Sequence, residues 1–135
     1  LLRRFFHPVQ EFINAEQTNP KLQEFIFALA KAFAKLQQST ATIAQKGLKN
    51  PEEAGAASTD YLRQFALVAL AYMWCLIVKT AQEKLEQGSA DKAFLEAKLK
   101  TARFFMERML PESEARFRMV MAGAATLMDM NESEF

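Results

Sequence analysis

The sequence predicts an all-α protein, an up-and-down antiparallel bundle of about four to five helices around one central apolar helix. Apolar residues recur at spacings of three and four along most of the chain. Glycine and proline number only four each, which is a composition that favours helices. No segment alternates apolar with polar residues, and no Asn-Gly or Asp-Gly hairpin signal occurs. We therefore expect a single helical domain over residues 1–135, with no sheet.

The central helix is predicted from an apolar run at residues 65–78, which contains no charged or strongly polar side chain. Arg63 and Lys79 close the run at its two ends. A helix that is apolar all round is buried all round or lies in lipid. Crossing a bilayer takes about 20 such residues, whereas 10 to 14 are typical of a buried core helix. We therefore expect no membrane span and burial of the run on every side.

Two helices are predicted before this run. The start of the first helix has two alternatives. Because of Pro8, the helix either starts near His7 or bends there. A polar connection at residues 14–19 follows. Asn19 and Pro20 then form an N-cap and first-position pair, and the second helix of about 27 residues is expected to end at Gly47. Its seam comprises Leu22, Ile26, Leu29, Phe33, Leu36, Thr40, Ile43 and Gly47.

The third helix begins with a second start signal at Asn50, and Glu53 at the third helical position completes a capping box. Gly55 and the polar residues 58–60 leave two alternatives, one helix over Pro51–Glu86 or a restart at Asp60. One glycine costs a helix only about 1 kcal/mol, so we favour the continuous helix.

Gly88 ends that helix, and Ser89 or Asp91 caps a fourth, amphipathic helix that ends before Pro111. The last helix begins at residues 111–114, and its small-residue segment 122–125 allows close approach to a neighbouring helix. The predicted buried residues are Leu95, Leu99, Ala102, Met106 and Met109 on the fourth helix, and Phe117, Val120, Ala124 and Leu127 on the last.

Charge and ligand chemistry exclude several classes of function. The net charge of +1 and the pI of 8.0 predict no nucleic-acid partner, since such modules usually have a pI above about 9. One histidine, His7, and one cysteine, Cys75, are too few for a zinc site. Cys75 lies within the apolar run, which predicts a buried thiol in a reducing, cytoplasmic compartment. We therefore predict no catalytic residue, no cofactor site and no metal site.

The aromatic residues of the central helix allow two interpretations of their role. Packing is favoured, with the hydroxyls and the indole N–H finding partners at the rim of the core. Contact with another domain or subunit is the alternative, because Tyr and Trp are enriched at interfaces. The possible interface residues are Tyr61, Tyr72, Trp74, Arg103 and Phe104.

Three motifs occur in order along the chain. They are Tyr61-Leu62-x-x-Phe65-x-x-Val68-Ala69-Leu70-Ala71-Tyr72-Met73-Trp74, Lys98-x-x-Thr101-Ala102-Arg103-Phe104-Phe105-x-Glu107-Arg108-x-Leu110-Pro111, and Ala122-Gly123-Ala124-x-x-Leu127-Met128. Together they resemble the extra C-terminal helical domain of long acyl-CoA dehydrogenases, in the bacterial branch that includes the methylmercaptopropionyl-CoA dehydrogenases. The resemblance covers nearly the whole chain, and none of its motifs is catalytic.

The resemblance implies a parent flavoenzyme that oxidises an acyl-CoA to an enoyl-CoA, with FAD as the hydride acceptor and a glutamate as the base. In that family these groups lie upstream of the helical domain, so the resemblance assigns no catalytic or FAD-binding residue here. It implies as partners the catalytic core of the same chain and neighbouring subunits of a homo-oligomer. Leu1 in place of Met also leads us to expect a longer chain. The alternative is an autonomous helical interaction or acyl-chain-binding module.

Overall fold

The computed structural model describes all 135 residues and is all-α, with no strand, which confirms the predicted fold class. A π-helical turn at Phe105–Met109 follows the fourth helix, and a 3₁₀ turn at Glu132–Glu134 lies near the end of the chain. The helices are α1 Leu2–Glu16, α2 Gln23–Lys49, α3 Pro51–Glu86, α4 Lys92–Phe104, α5 Glu112–Ala122 and α6 Ala125–Met128.

Helix α3 is continuous over the predicted bounds. At its start the side chain of Asn50 accepts a hydrogen bond from the backbone N–H of Glu52 at 3.1 Å. Gly55 lies in the helix interior, where an added Cβ would meet no atom within 4 Å. Gly88, with a φ of 75°, lies just beyond the C-terminal end of the helix. The favoured alternative of one helix is therefore confirmed.

The predicted capping box at Glu53 is wrong. The Glu53 carboxylate instead accepts the backbone N–H of Ala124 at 3.2 Å, which links the start of α3 to the turn after α5. That turn is made by Gly123, whose φ of 81° ends α5. A Cβ on Gly123 would lie 3.2 Å from the Glu53 carboxylate, so the small-residue segment does permit the predicted close approach.

The Gly123 turn also changes the predicted face of the last helix. Val120 and Ala124 are buried as predicted, and Phe117 is half-buried. Leu127 is exposed, which contradicts its predicted burial. The helical spacing from Val120 to Leu127 is broken because Leu127 belongs to the separate short helix α6.

Helices α1 and α2 differ from the predicted bounds. Helix α1 begins at Leu2 and continues through Pro8, so the predicted start near His7 is wrong. Asn19 accepts the backbone N–H of Lys21 at 3.2 Å and turns the chain, and regular α-helix begins only at Gln23.

Helix α2 continues past Gly47 and ends at Lys49. Asn50 is both the C-cap of α2 and the N-cap of α3. The prediction that Gly47 ends the helix is therefore wrong. A Cβ on Gly47 would lie 3.2 Å from the Cβ of Ala54, so the glycine allows α2 and α3 to approach closely near their connection.

The core lies between α1, α2 and α3, with α4 and α5 packed against the same three-helix layer. Aromatic rings join α1 to α3, where Phe5 lies 4.8 Å from Phe65 and Phe12 lies 5.6 Å from Tyr72 between ring centroids. The first five residues of the predicted α2 seam are fully buried, and the last three are half-buried. The buried five are Leu22, Ile26, Leu29, Phe33 and Leu36.

The π-helical turn after α4 shifts the helical register by one residue. The backbone N–H of Leu110 donates to the carbonyl of Phe105 at 2.9 Å, five residues earlier. Leu110 is consequently 4% exposed and Met109 is 43% exposed. The prediction that Met109 belongs to the buried stripe is wrong, whereas the burial of Leu95, Ala102 and Met106 is confirmed.

Candidate interaction surface on the central helix

An exposed apolar surface runs along α3, and we call it the α3 stripe. Its members are spaced four, four, three and four residues apart, which places them on one face of the helix. The exposed fractions are 71% for Leu62, 47% for Leu70, 46% for Met73 and 39% for Ile77. The prediction that residues 65–78 are buried on every side is therefore wrong on this face. The stripe comprises Leu62, Ala66, Leu70, Met73 and Ile77.

The other faces of α3 are covered by the rest of the chain. The face opposite the stripe lies against α2, where Gln64 accepts a hydrogen bond from Ser39 at 2.7 Å. Helix α1 covers one flank through its contact with Tyr72. Helix α5 covers the other flank at the N-terminal end, where Arg63 pairs with Glu112. Helix α4 packs against the C-terminal end of α3, where Ala81 and Leu95 line a shared groove. The middle of the stripe, at Leu70 and Met73, remains about half exposed.

Helix α3 is also the one helix long and apolar enough to cross a membrane, with a mean hydropathy of 1.6 over an 18-residue window. Of that window, 33% is buried within the protein. Charged side chains flank it and are ion-paired to other helices, Arg63 to Glu112 at 3.0 Å and Lys79 to Glu16 at 2.6 Å. These contacts are typical of a core helix in a bundle, although length and composition alone also fit a membrane span.

Three of the four aromatic residues in the predicted interface set lie on two flanks of α3. Tyr61 is half-buried, and its hydroxyl lies 2.7 Å from that of Thr40, so it has a partner at the rim of the core. Tyr72 is half-buried against the rings of Phe5 and Phe12. Trp74 is half-buried against the core on the opposite flank.

The remaining two predicted residues lie on α4. Arg103 makes a two-pronged ion pair with Glu24, with nitrogen–oxygen distances of 3.0 and 2.6 Å. Hydrogen bonding from Arg103 lowers the pKa of the Glu24 carboxyl. Phe104 is exposed beside it. The structure therefore does not bring the five predicted residues together, and the stripe contains none of them.

Cys75 has the environment of an inert thiol. It is fully buried, and its sulfur lies 3.7 Å from the carbonyl oxygen of Phe25 on α2. Burial raises the pKa of the Cys75 thiol to about 12. Because the thiolate is the nucleophilic form, this residue has no useful reactivity at neutral pH.

No group of three His, Cys, Asp or Glu side chains is arranged to hold a metal ion. The residues present also do not fit FAD, whose pyrophosphate is usually held by clustered backbone N–H groups of a glycine-rich loop. Gly47 and Gly55 lie inside helices, while Gly88 and Gly123 make separate turns. The N-terminal end of α3 carries Glu52 and Glu53, which disfavour a phosphate there.

Fold and surface together define an all-α bundle domain whose central helix presents one uncovered apolar face. The sequence matches the family model described as "Acetyl-CoA dehydrogenase C-terminal like" over residues 5–131. The chain belongs to this family, which confirms the resemblance to the C-terminal domain of acyl-CoA dehydrogenases. No curated protein sequence matches the chain at a significant level.

Proposed function

We propose that this chain is the non-catalytic C-terminal domain of an FAD-dependent acyl-CoA dehydrogenase, and that it supports assembly by covering its α3 stripe with protein from the parent enzyme. The parent oxidises an acyl-CoA to an enoyl-CoA in the cytoplasm, as a homo-oligomer, with FAD held by an upstream catalytic core. The observation that carries the proposal is the uncovered apolar stripe on the most apolar helix of the chain. Family membership supports the identity of the parent.

The size of the stripe favours a partner in the same polypeptide. Complete burial of one large apolar side chain contributes about 1.5–3 kcal/mol, so covering the exposed halves of four contributes about 4 kcal/mol. Between separate molecules this gain is offset by the cost of association, about 4–15 kcal/mol, so the stripe alone does not support a stable complex. A covalent link between the domain and its partner supplies an effective concentration in the millimolar range, so that the same contact can form within one polypeptide.

The experiment compares two Leu→Glu variants of the parent enzyme. Leu70 lies in the stripe, whereas Leu48 is 89% exposed at the end of α2 and serves as the matched control. We expect L70E to reduce the oligomer mass measured by light scattering, or to release flavin, while L48E behaves as wild type. Circular dichroism of both variants of the 135-residue chain checks that the bundle remains folded.

Two results would contradict the proposal. One is an L70E parent enzyme with unchanged oligomer mass, flavin content and acyl-CoA oxidation. The other is a coding sequence upstream of residue 1 that contains no flavin-binding dehydrogenase core. The 135-residue chain alone is expected to be colourless and inactive toward acyl-CoA with an artificial electron acceptor.

An acyl-chain-binding module remains the second candidate because of one groove. It lies between α1, α2 and α3 with a volume of about 560 Å³, within the size range of small-molecule sites. Leu2, Ile43 and Phe65 contribute to its apolar lining. Saturable binding of a fatty acid by the isolated chain, lost on replacing Ile43 by Glu, would favour this candidate over an assembly domain.

A further inference from the structure

The C-terminal end of the α3 stripe continues into a groove between α3 and α4. Ile77 belongs to both surfaces, so a partner that covers the stripe also reaches the groove. The groove has a volume of about 290 Å³ and is open to solvent. Its lining residues are Leu76, Ile77, Thr80, Ala81, Lys84, Phe94, Leu95 and Lys98.

The charges of this groove are of one sign. Lys84 and Lys98 are its only charged lining residues, and neither forms an ion pair. The ammonium group of Lys98 lies 5.0 Å from the ring centroid of Phe94, which is itself 60% exposed. The groove therefore has an apolar floor and an uncompensated cationic rim.

The N-terminal end of the stripe differs, because its nearest cation is already neutralised. Arg63 makes two hydrogen bonds of 3.0 Å to Glu112, and Arg116 next to it pairs with Asp60. The arginines at the N-terminal end of the stripe are thus paired with carboxylates, whereas the lysines at its C-terminal end are not. A purely apolar partner would remove water from Lys84 and Lys98 without compensation, which is costly.

We propose that the parent-enzyme surface covering the α3 stripe carries carboxylate side chains that face Lys84 and Lys98. This inference rests on the proposed function and specifies the chemistry and polarity of the partner surface. The apolar part of that surface lies over Leu62 to Ile77, and its acidic end lies over the groove. The carboxylates fix one direction of docking along α3, which the apolar contacts alone leave undefined.

Met73 supplies the readout, because it lies in the stripe and its oxidation by hydrogen peroxide reports exposure. In the wild-type parent enzyme we expect Met73 to oxidise at least fivefold more slowly than in the 135-residue chain. The double variant K84E/K98E should lose that protection at 50 mM NaCl and recover part of it at 500 mM NaCl, where repulsion is screened. Lys49 and Lys100 are exposed and unpaired, so K49E/K100E is the matched control and should keep the protection.

The outcomes separate this inference from the proposed function. If L70E exposes Met73 but K84E/K98E does not at either salt concentration, the acidic partner surface is wrong and the assembly role stands. If Met73 is equally reactive in the wild-type parent and in the isolated chain, both fail. Saturable binding of decanoate to the isolated chain, abolished by K84M/K98M, would assign the groove to a small anionic amphiphile and overturn the inference.

Discussion

Ser39 on α2 and Gln64 on α3 form a hydrogen bond of 2.7 Å that is fully buried between the two longest helices. The hydroxyl of Ser39 donates to the amide oxygen of Gln64, and the Gln64 amide nitrogen has no partner. A buried polar group without a partner costs about 1–3 kcal/mol. We therefore expect the pair to add little net stability, because the unpaired amide nitrogen offsets the hydrogen bond.

A double-mutant cycle tests that relationship. S39A should destabilise the chain by about 1–3 kcal/mol, because it leaves both polar atoms of the Gln64 amide unsatisfied. S39A/Q64L should be close to wild type, since it replaces the amide by an apolar side chain of similar size. Urea unfolding of the two single variants and the double variant measures the coupling. Additive losses would show that the two side chains act independently.

The π-helical turn predicts unequal costs at two neighbouring residues. L110A should destabilise the chain by about 2–5 kcal/mol because Leu110 is buried, whereas M109A should cost less than about 1 kcal/mol because Met109 is exposed. Chemical unfolding of the two variants gives the comparison. Equal costs, or a larger cost for M109A, would mean that α4 keeps a regular α-helical register to its end.

Replacing either of two glycines by alanine should change the stability of the chain, with opposite signs at the two positions. G123A should destabilise the chain by at least about 1 kcal/mol, because the φ of Gly123 is 81° and the new Cβ would approach Glu53. G55A should stabilise it by about 0.5–1 kcal/mol, since Gly55 is helical and has open space at the Cβ position. Thermal melts of the two variants measure both effects. A stabilising G123A would be incompatible with the turn after α5.

The Glu16–Lys79 pair predicts a pH dependence. The hydrogen bond from Lys79, at 2.6 Å, lowers the pKa of Glu16 below its ordinary value of 4.5 in the folded state. Between the folded-state pKa of Glu16 and pH 4.5 the unfolded chain therefore binds more protons than the folded chain. The contribution of the pair to the free energy of unfolding is complete above pH 4.5 and is lost as the pH falls through the folded-state pKa. E16Q should remove about 0.5–1 kcal/mol at pH 7 and flatten the loss of stability between pH 5 and 3. An unchanged pH profile in E16Q would assign the acid sensitivity to other carboxylates.

The sequence was sufficient for the helices whose signals are local. Asn50 and Pro51 mark the start of α3, and Pro111 lies between the π-helical turn and α5, because caps and proline act through the adjacent backbone. Features that depend on tertiary contacts were not predictable. The carboxylate of Glu53 has a partner 71 residues away, and the π-helical turn contains no glycine or proline that would mark it in the sequence.

The candidate site was predicted only in part, for a related reason. Apolar residues on all sides of α3 indicated that every side needs a neighbour, but not which side lacks one within this chain. Tyr61 and Tyr72 were selected for their residue type, whereas Leu70 and Met73 look like ordinary core residues in sequence. The available signal was the small number of helices, since α1, α2, α4 and α5 are the only other α-helices longer than four residues, and they leave Leu70 and Met73 about half exposed.

Coverage of the α3 stripe is tested most directly by an experimental structure of the parent enzyme, in which the accessible surface of Leu70 and Met73 is measured. We predict that both side chains are buried by protein atoms from outside residues 1–135. An ordered C-terminal domain in which Leu70 and Met73 remain open to solvent would contradict it.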